Sequence, residues 1–598
     1  MAFEMSSKLG VVRRKRRSLN KLKMIKYWMI LLLLLNTGWA TAPFQAITAK
    51  DGRLIYADGS EVNLFGVNFQ PMLSWEHAAR MHNQGVLMPL KVEDLKQVAD
   101  ASFDEIEQLG AEMIRIHLHP ADFTDAKGNL VETIWLDVLD YTLSQAQNRG
   151  LYIYLTLLNH LDHHGTQSPY NRESFAANYA REDWMYEHDA VAATKRYMGQ
   201  LLNRRNPYNG QQYKAHAALA VLEPVNEPAY VWFEKWQERN KDGTREQFEQ
   251  WSYTHTKNYL NEMVSLLRSE GMTQPVVWNC GWARLIQKHR SAFRGIAESQ
   301  VDAVSFCLYP GQSDLKVPFW KNPENLSDRN YLPYIEQCSE NEDWLGWLRS
   351  DAFKGKAKLV YEYETFCNQS AYLYPAMAKF YRSVGAQIAT QWTYGLTAYS
   401  EYLGGSHVFN LKTTPRKAAS FMVAKQQFKD VGTTYSFESR SSAVLHDRQL
   451  IYSGWSESDD WSDSVFGSDL ASPTVIIGVG DSPFVRYEGS GLYFIEPNEN
   501  GALRLTLMPD VEFIRPHWKE LHTGEPVVKL DATTKNRFEL SLPGFEGTCW
   551  IYRKDGWHWH LVETLEDGIR FEAIPGDYLI EKQPLRIKRK LLDEGWGD

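Results

Sequence analysis

Met113-Ile114-Arg115-Ile116-His117-Leu118-His119 is a short, mostly apolar run; Leu136, Leu139, Leu143 and Ala146 then recur at three- and four-residue steps up to Gly150, and Tyr152-Ile153-Tyr154-Leu155-Thr156-Leu157-Leu158-Asn159 is a second such run. Steps of three and four place side chains on one helical face, and a glycine ends a helix where the chain turns left-handed. The segment reads strand, helix, strand. Runs so continuously apolar are those of strands covered on both faces, so the two are expected to lie parallel in one sheet beneath helices.

The same texture recurs at Val62 to Asn68, Leu219 to Val225, Pro275 to Asn279, Ala303 to Tyr309, Lys358 to Glu364 and Ile388 to Tyr394, which makes eight runs in all. Eight strand–helix alternations predict an α/β fold, a closed (β/α)8 TIM barrel, in preference to an open doubly wound sheet. No Gly-rich phosphate loop follows the first run, which argues against dinucleotide binding. Upstream, Asp51-Gly52 and Asp58-Gly59 bracket Arg53 to Ala57 as a small hairpin. Beyond a helical stretch at Arg416 to Phe428, Ser456 to Asp469 is rich in Ser, Asp and Gly, and alternating strands follow at Leu492 to Ile495 and Leu503 to Met508. A C-terminal β-sandwich fits that pattern. The expected divisions are a leader at 1–42, the barrel domain at 43–430 and an accessory sandwich at 431–598. Asp459, Asp460, Asp463 and Asp469 read as a solvated linker before they read as a calcium site.

A chain of 598 residues is long enough for one large domain and a smaller one. A net charge of -9 and a pI near 6.1 are wrong for neutralising nucleic-acid phosphates or an anionic membrane surface. The N-terminus differs in kind: Arg13, Arg14, Lys15, Arg16, Arg17, Lys21, Lys23 and Lys26 precede the apolar stretch Tyr27 to Leu35, and Ala40-Thr41-Ala42 supplies small residues for cleavage. This is the pattern of an export signal, implying a secreted or periplasmic protein. The stretch is shorter than the roughly 20 residues that cross a bilayer, so no membrane span is expected after its removal. Cys280, Cys307, Cys338, Cys367 and Cys549 are too scattered for a disulfide framework; Cys280, Cys307 and Cys367 read as buried thiols.

Reactive side chains of a parallel barrel sit at the C-terminal ends of its strands. The fourth run ends Leu222-Glu223-Pro224-Val225-Asn226-Glu227-Pro228 and the seventh Tyr361-Glu362-Tyr363-Glu364. Strands four and seven face each other across an eight-stranded barrel. Two carboxyls so placed suit glycoside cleavage, in which one protonates the leaving oxygen while the other meets the developing oxocarbenium ion from the opposite face. No cofactor is required. Glu223, deeper in its strand, is a lesser rival to Glu227. His117 and His119 share a strand face as in metal-dependent barrel hydrolases, yet the fifth and sixth runs end in Asn279 and Tyr309 where such a site needs further His.

Asn226-Glu227-Pro228 closing the fourth strand, Glu followed by Tyr on the seventh and Trp392 on the eighth resemble clan A of the glycoside hydrolases, nearest its cellulase- and mannanase-like members (family 5-like), over residues 50 to 425. The resemblance implies a retaining enzyme acting on a β-linked polysaccharide or oligosaccharide, with Glu227 as acid/base and Asn226 on the hydroxyl next to the reacting carbon. It implies Arg115 and Tyr309 beside the nucleophile, Arg115 keeping it ionised, with Trp392 as stacking platform and His160 as a sugar contact. The family's Gly after Glu-aromatic is absent here. Glu362 and Glu364, at alternate positions, both remain open as nucleophile; Glu directly before an aromatic favours Glu362, leaving Glu364 to contact sugar or an Arg. A barrel that had lost one carboxyl would be a non-catalytic sugar binder. Trp455, Trp461, Trp550, Trp557 and Trp559 of the C-terminal region read as core before they read as sugar-binding surface.

Overall fold

The structure, a computed structural model, describes residues 44–69, 71, 92–159, 174–179, 181–312, 324–327, 329–365, 367–402, 407, 409–429, 443–446, 449–452, 465–466, 473–516 and 526–585. The leader, His160, Trp455, Trp461 and the four linker aspartates lie outside these residues. So does the expected 430/431 boundary.

The eight apolar runs are the eight strands of one parallel sheet: β1 (Leu64–Phe69), β2 (Met113–His117), β3 (Tyr152–Thr156), β4 (Leu219–Glu223), β5 (Val277–Asn279), β6 (Ala303–Leu308), β7 (Ala357–Tyr363) and β8 (Ala386–Tyr394). Neighbours in sequence are neighbours in the sheet, β8 pairs with β1, and a parallel bridge from Leu222 to Val276 joins β4 to β5. The Leu222 N–H reaches the Pro275 carbonyl at 3.0 Å, closing the barrel. The strands are buried almost throughout because helices cover their outer face. Helix Ile134–Asn148 is capped by Thr133, whose hydroxyl accepts from the Leu136 N–H, and it stops before Gly150 at φ +73°.

The register of the barrel shifts at several points, two of which add a residue that packs inward. Between β6 and β7 the register passes from Phe306–Val360 to Cys307–Glu362, and between β3 and β4 from Ile153–Leu219 to Tyr154–Val221. Tyr361 and Ala220 are therefore extra residues. Strict alternation from Ala357 and Leu359, which face the barrel interior, would put Tyr361 inside and Glu362 outside; the bulge turns both inward.

The N-terminal hairpin, Ile47–Lys50 with Arg53–Tyr56, covers the barrel floor, where Ile47, Leu54 and Val62 pack with Tyr154, Ala357 and Leu359. Gly52 at its turn, φ +74°, lies so near the Lys354 carbonyl that a Cβ would fall 2.3 Å from it. At the other end of the chain a nine-stranded sheet, mostly antiparallel, faces a three-stranded one (Val485–Tyr487, Asn536–Leu540, Ile569–Ala573). Tyr487, Tyr493, Leu505, Phe538 and Phe571 fill the space between, as in a sandwich. Helix Pro415–Lys429 touches both β1 and sheet strands Gln449–Tyr452 and Val475–Val479, so most of its length is buried, with Arg416 exposed. Barrel and sheets make one compact unit, Gln45–Asp598. In the sheets Trp557 is 95% exposed, whereas Trp550 and Trp559 pack on Tyr552 and Leu579. Among the described residues no helix is long and apolar enough to cross a membrane.

Candidate active site

Arg115, at the centre of β2, organises the mouth. Fully buried, it divides its guanidinium between two carboxylates: Nη2 donates to Glu223 Oε1 at 2.6 Å and Nη1 to Glu362 Oε1 at 3.0 Å. Nη1 also reaches Asn68 Oδ1 and Nη2 Asn226 Oδ1, at 2.9 and 2.8 Å, while the rings of Tyr154 and Tyr361 flank the cation. Such a group stays charged at every working pH, since its two carboxylates outweigh the cost of burial.

Glu362 receives the Tyr309 hydroxyl on its other oxygen, at 2.8 Å. Burial and the Glu362 charge push that phenol well above its usual range, so it remains a donor. Burial likewise pushes the Glu362 carboxyl up, to about 8; Arg115 pulls against this, and the charge of Glu227 adds to it. Half of the guanidinium serves Glu223, and the remainder does not overcome burial and a facing carboxylate.

Glu227 follows β4 on a backbone at φ +41°, a left-handed conformation that side-chain-bearing residues seldom adopt. Its Oε1 accepts from Trp282 Nε1 at 2.9 Å and from the Tyr361 hydroxyl at 2.7 Å. An indole N–H can only donate, so a proton carried by Glu227 belongs on Oε2. Asn226 spans β2, β3 and β5, accepting from Arg115 and from Asn279 Nδ2 and donating to Asn159 Oδ1 at 3.0 Å.

Glu223 and Glu364 are placed otherwise. Glu223, with no exposed surface, accepts from Arg115, Tyr154, Thr156, Ser305 and Asn279. Its oxygens are committed to the barrel interior. Glu364 shares no face with Glu362: β7 ends at Tyr363, and the Glu364 carboxylate turns to the Thr365 N–H and hydroxyl, Tyr374, Gln391 and Lys417 Nζ, the last at 2.7 Å. It too is wholly buried. The sugar contact expected of Glu364 is not available to a side chain enclosed in this way, and Lys417 takes the place of the Arg considered for it.

Trp392 is half-buried on β8 with its ring 4.8 Å from that of His117, and its peptide bond to Thr393 is cis. His119 meets Asn159 Nδ2 through Nε2 at 3.0 Å. Among the described residues no group of three or more His, Cys, Asp or Glu is placed to hold a metal ion. Cys307 lies beside the dyad as the partner of Glu362 across β6 and β7; burial holds its thiol protonated. All five cysteines are buried and none forms a disulfide.

No family model matches this chain, and no curated protein matches it. Solved structures to which it is similar include an endo-1,4-β-mannanase from Rhizomucor miehei, at 15% identity over 65% of this chain and all of that one, TM-score 0.42. An endo-β-1,4-mannanase from Thermotoga petrophila aligns at 13% identity over 87% of this chain and 99% of that one, TM-score 0.43. A β-glucanase from Saccharophagus degradans aligns at 15% over 59% and 85%, TM-score 0.37. The barrel assignment rests on strand order and closure, not on these likenesses.

Trp282, Tyr361 and Asn68 escaped the sequence reading. Asn68 and Trp282 were within reach of it, since Asn68 ends the first apolar run and Trp282 follows Asn279-Cys280-Gly281 directly after the fifth. Alternation from Ala357 and Leu359 also places Tyr361 inward, but nothing in the sequence pairs it with Glu227, 134 residues away.

Proposed function

We propose that this protein is a retaining glycoside hydrolase that cleaves a β-linked polysaccharide or oligosaccharide by double displacement. The observation that carries the reading is the buried carboxyl Glu362, held by Arg115 and Tyr309 and sensing the charge of Glu227, on a strand bulged at that point to turn it inward. One proton shared by two carboxyls is the composition from which double displacement starts.

In the productive arrangement the proton sits on Glu227 Oε2 and the charge on Glu362, where Arg115 and Tyr309 stabilise it. Glu227 gives its proton to the glycosidic oxygen as the carbon–oxygen bond breaks, and a Glu362 oxygen bonds to the anomeric carbon. Glu227, now anionic, takes a proton from water, which attacks the same carbon and releases Glu362. Asn226, oriented by Arg115, Asn279 and Asn159, is positioned to hold a sugar hydroxyl, and Trp392 offers a ring for stacking. Export of the chain is part of the proposal, on the strength of the basic and apolar N-terminal stretch.

The test is release of reducing ends from a panel of β-linked glucans, mannans and galactans and from aryl β-glycosides, with Glu227→Gln beside the wild type. NMR of the first-formed anomer follows for any active substrate. Activity with retained configuration, lost in the variant, is expected. Sugar binding without turnover would instead favour a binding protein, and inversion would remove the covalent intermediate.

A further inference from the structure

A cavity opens beside Glu227, walled by Glu182, Tyr230, Trp232, Trp282 and His289 as well as by Glu227 itself. Trp232 comes from the chain that follows β4, and Trp282 and His289 from the chain that follows β5. Arg115, Tyr309 and Glu362 do not line it. An acid that protonates a departing oxygen has the departing group at its own side, while the nucleophile meets the anomeric carbon from the opposite face. A space lined by the acid and not by the nucleophile is therefore the one a leaving group enters.

The wall describes what that group is. Trp232 and Trp282 keep 42% and 55% of their surface exposed although each is tied down, Trp232 by the His289 ring at 4.7 Å and by the Lys288 ammonium 4.9 Å from its own ring, Trp282 by its N–H on Glu227. Held but exposed, the indoles offer flat apolar faces to a ring. His289 is only 5% exposed, and its ring nitrogens have no hydrogen-bond partner among the described residues. Burial and Lys288 lower its pKa to about 4, so at neutral pH one nitrogen donates and the other accepts, as suits a hydroxyl. No Lys or Arg is among the described lining residues, and the nearby ammonium groups are committed, Lys235 to Glu182 at 3.6 Å and Lys288 to the Trp232 ring. Nothing in this wall neutralises an anion.

We propose that the cavity is a subsite for the leaving half of the substrate, taking a neutral sugar ring stacked on Trp232 with a hydroxyl on His289, and that these two side chains are specificity-determining residues. This rests on the reading of Glu227 as the acid. The bond cleaved then joins two sugars, and leaving units that carry a uronate or a sulfate are refused.

The experiment uses the full-length wild type, Trp232→Ala, Trp232→Phe and His289→Leu, with thermal unfolding to check each fold. The ratio of kcat/KM on the best neutral oligosaccharide of the panel to kcat/KM on the glycosyl fluoride of the same sugar, whose leaving atom fills no subsite, is the first readout. Trp232→Ala should lower that ratio by about 10-fold and His289→Leu by several-fold, the worth of one ring contact or one hydrogen bond, with Trp232→Phe nearer the wild type. The second readout is transfer to an added neutral sugar, whose hydroxyl gives its proton to Glu227 while its oxygen displaces Glu362 from the anomeric carbon; Trp232→Ala should form less of this product. A ratio and a transfer yield unchanged in Trp232→Ala overturn the inference and leave the hydrolase standing, and cleavage of a uronate leaving unit as fast as a neutral one overturns the stated selectivity. If the wild type hydrolyses nothing, the proposed activity has failed. Calorimetric binding of cellotetraose or mannotetraose that Trp232→Ala weakens then upholds the cavity as a sugar site, and binding that is absent or unaffected overturns it.

Discussion

Glu227 and Glu362 at the rim of the barrel can be set against Glu223 and Glu364, which lie four and two residues away along the same strands or just beyond them. All four are buried carboxyls. In the rear pair the protein itself supplies the chemistry: Glu223 is surrounded by a guanidinium, two hydroxyl-bearing strand residues, a phenol and an amide, and Glu364 by a lysine, a phenol, an amide and its own capping threonine. In the rim pair Glu362 accepts from Arg115 and Tyr309 and Oε1 of Glu227 from Trp282 and Tyr361, contacts that in the proposed mechanism hold a charge on the one and leave the other oxygen of Glu227 for a proton. Burial alone does not mark a catalytic carboxyl. On the proposed mechanism, what distinguishes the rim pair is the set of partners each carboxyl keeps.

Substitutions should separate the two pairs by which quantity they change. Glu362→Ala is expected to lower kcat by roughly 10⁴-fold or more with the fold intact. Glu227→Gln should cost about 10²–10⁴-fold on substrates with poor leaving groups, and less on aryl glycosides whose leaving group needs no proton. Kinetics on both substrate types checks this; equal losses on the two would remove Glu227 from the acid role. Glu364→Ala, which strands the buried Lys417, should cost about 3–5 kcal/mol in urea unfolding. Its turnover per folded molecule should stay within a few-fold of wild type, and a loss as deep as that of Glu362→Ala would transfer the nucleophile to Glu364.

A smaller effect follows from protonation. A carboxyl raised from 4.5 to about 8 on folding binds its proton more tightly in the folded chain. The associated stabilisation is complete below the lower value and is lost as pH rises through the upper one. Glu362→Gln, which cannot ionise, should therefore gain stability relative to wild type between pH about 5 and about 8.5 in denaturant titrations. A difference that does not vary with pH would contradict the raised value. The smallest change is expected of Trp282→Phe, which removes the N–H on Glu227 but keeps a ring; about a 10-fold fall in kcat is anticipated from one lost charge-assisted hydrogen bond.

The barrel was legible because both faces of its strands are covered, which writes each strand as an apolar run whatever its partners. The strand ends were legible too, and with them Glu227; Arg115, Asn226, Tyr309 and Trp392 came from the family resemblance, and the structure brings Arg115 and Tyr309 onto Glu362 and Asn226 onto Arg115. The separation of Glu362 from Glu364 was not. Alternation predicts that residues two apart share a face, and this fails because the strand stops at Tyr363, before Glu364, while the bulge at Tyr361 decides which face Glu362 takes; neither leaves a compositional trace. The hydrogen bonds from the Val527, Val528 and Leu530 N–H groups to the carbonyl and carboxylate of Glu401 were hidden for a different reason: they join groups more than 120 residues apart, and backbone donors carry no sequence signal.

The central claim is that Glu362, and not its neighbour two residues on, forms the bond to sugar. A 2-deoxy-2-fluoro aryl β-glycoside of the preferred sugar slows the second step and traps the covalent intermediate, which peptide mass spectrometry locates. One sugar on the Glu362 side chain, absent from Glu362→Ala, is the predicted result; an adduct on Glu364, or inverted product with no adduct at all, would contradict it.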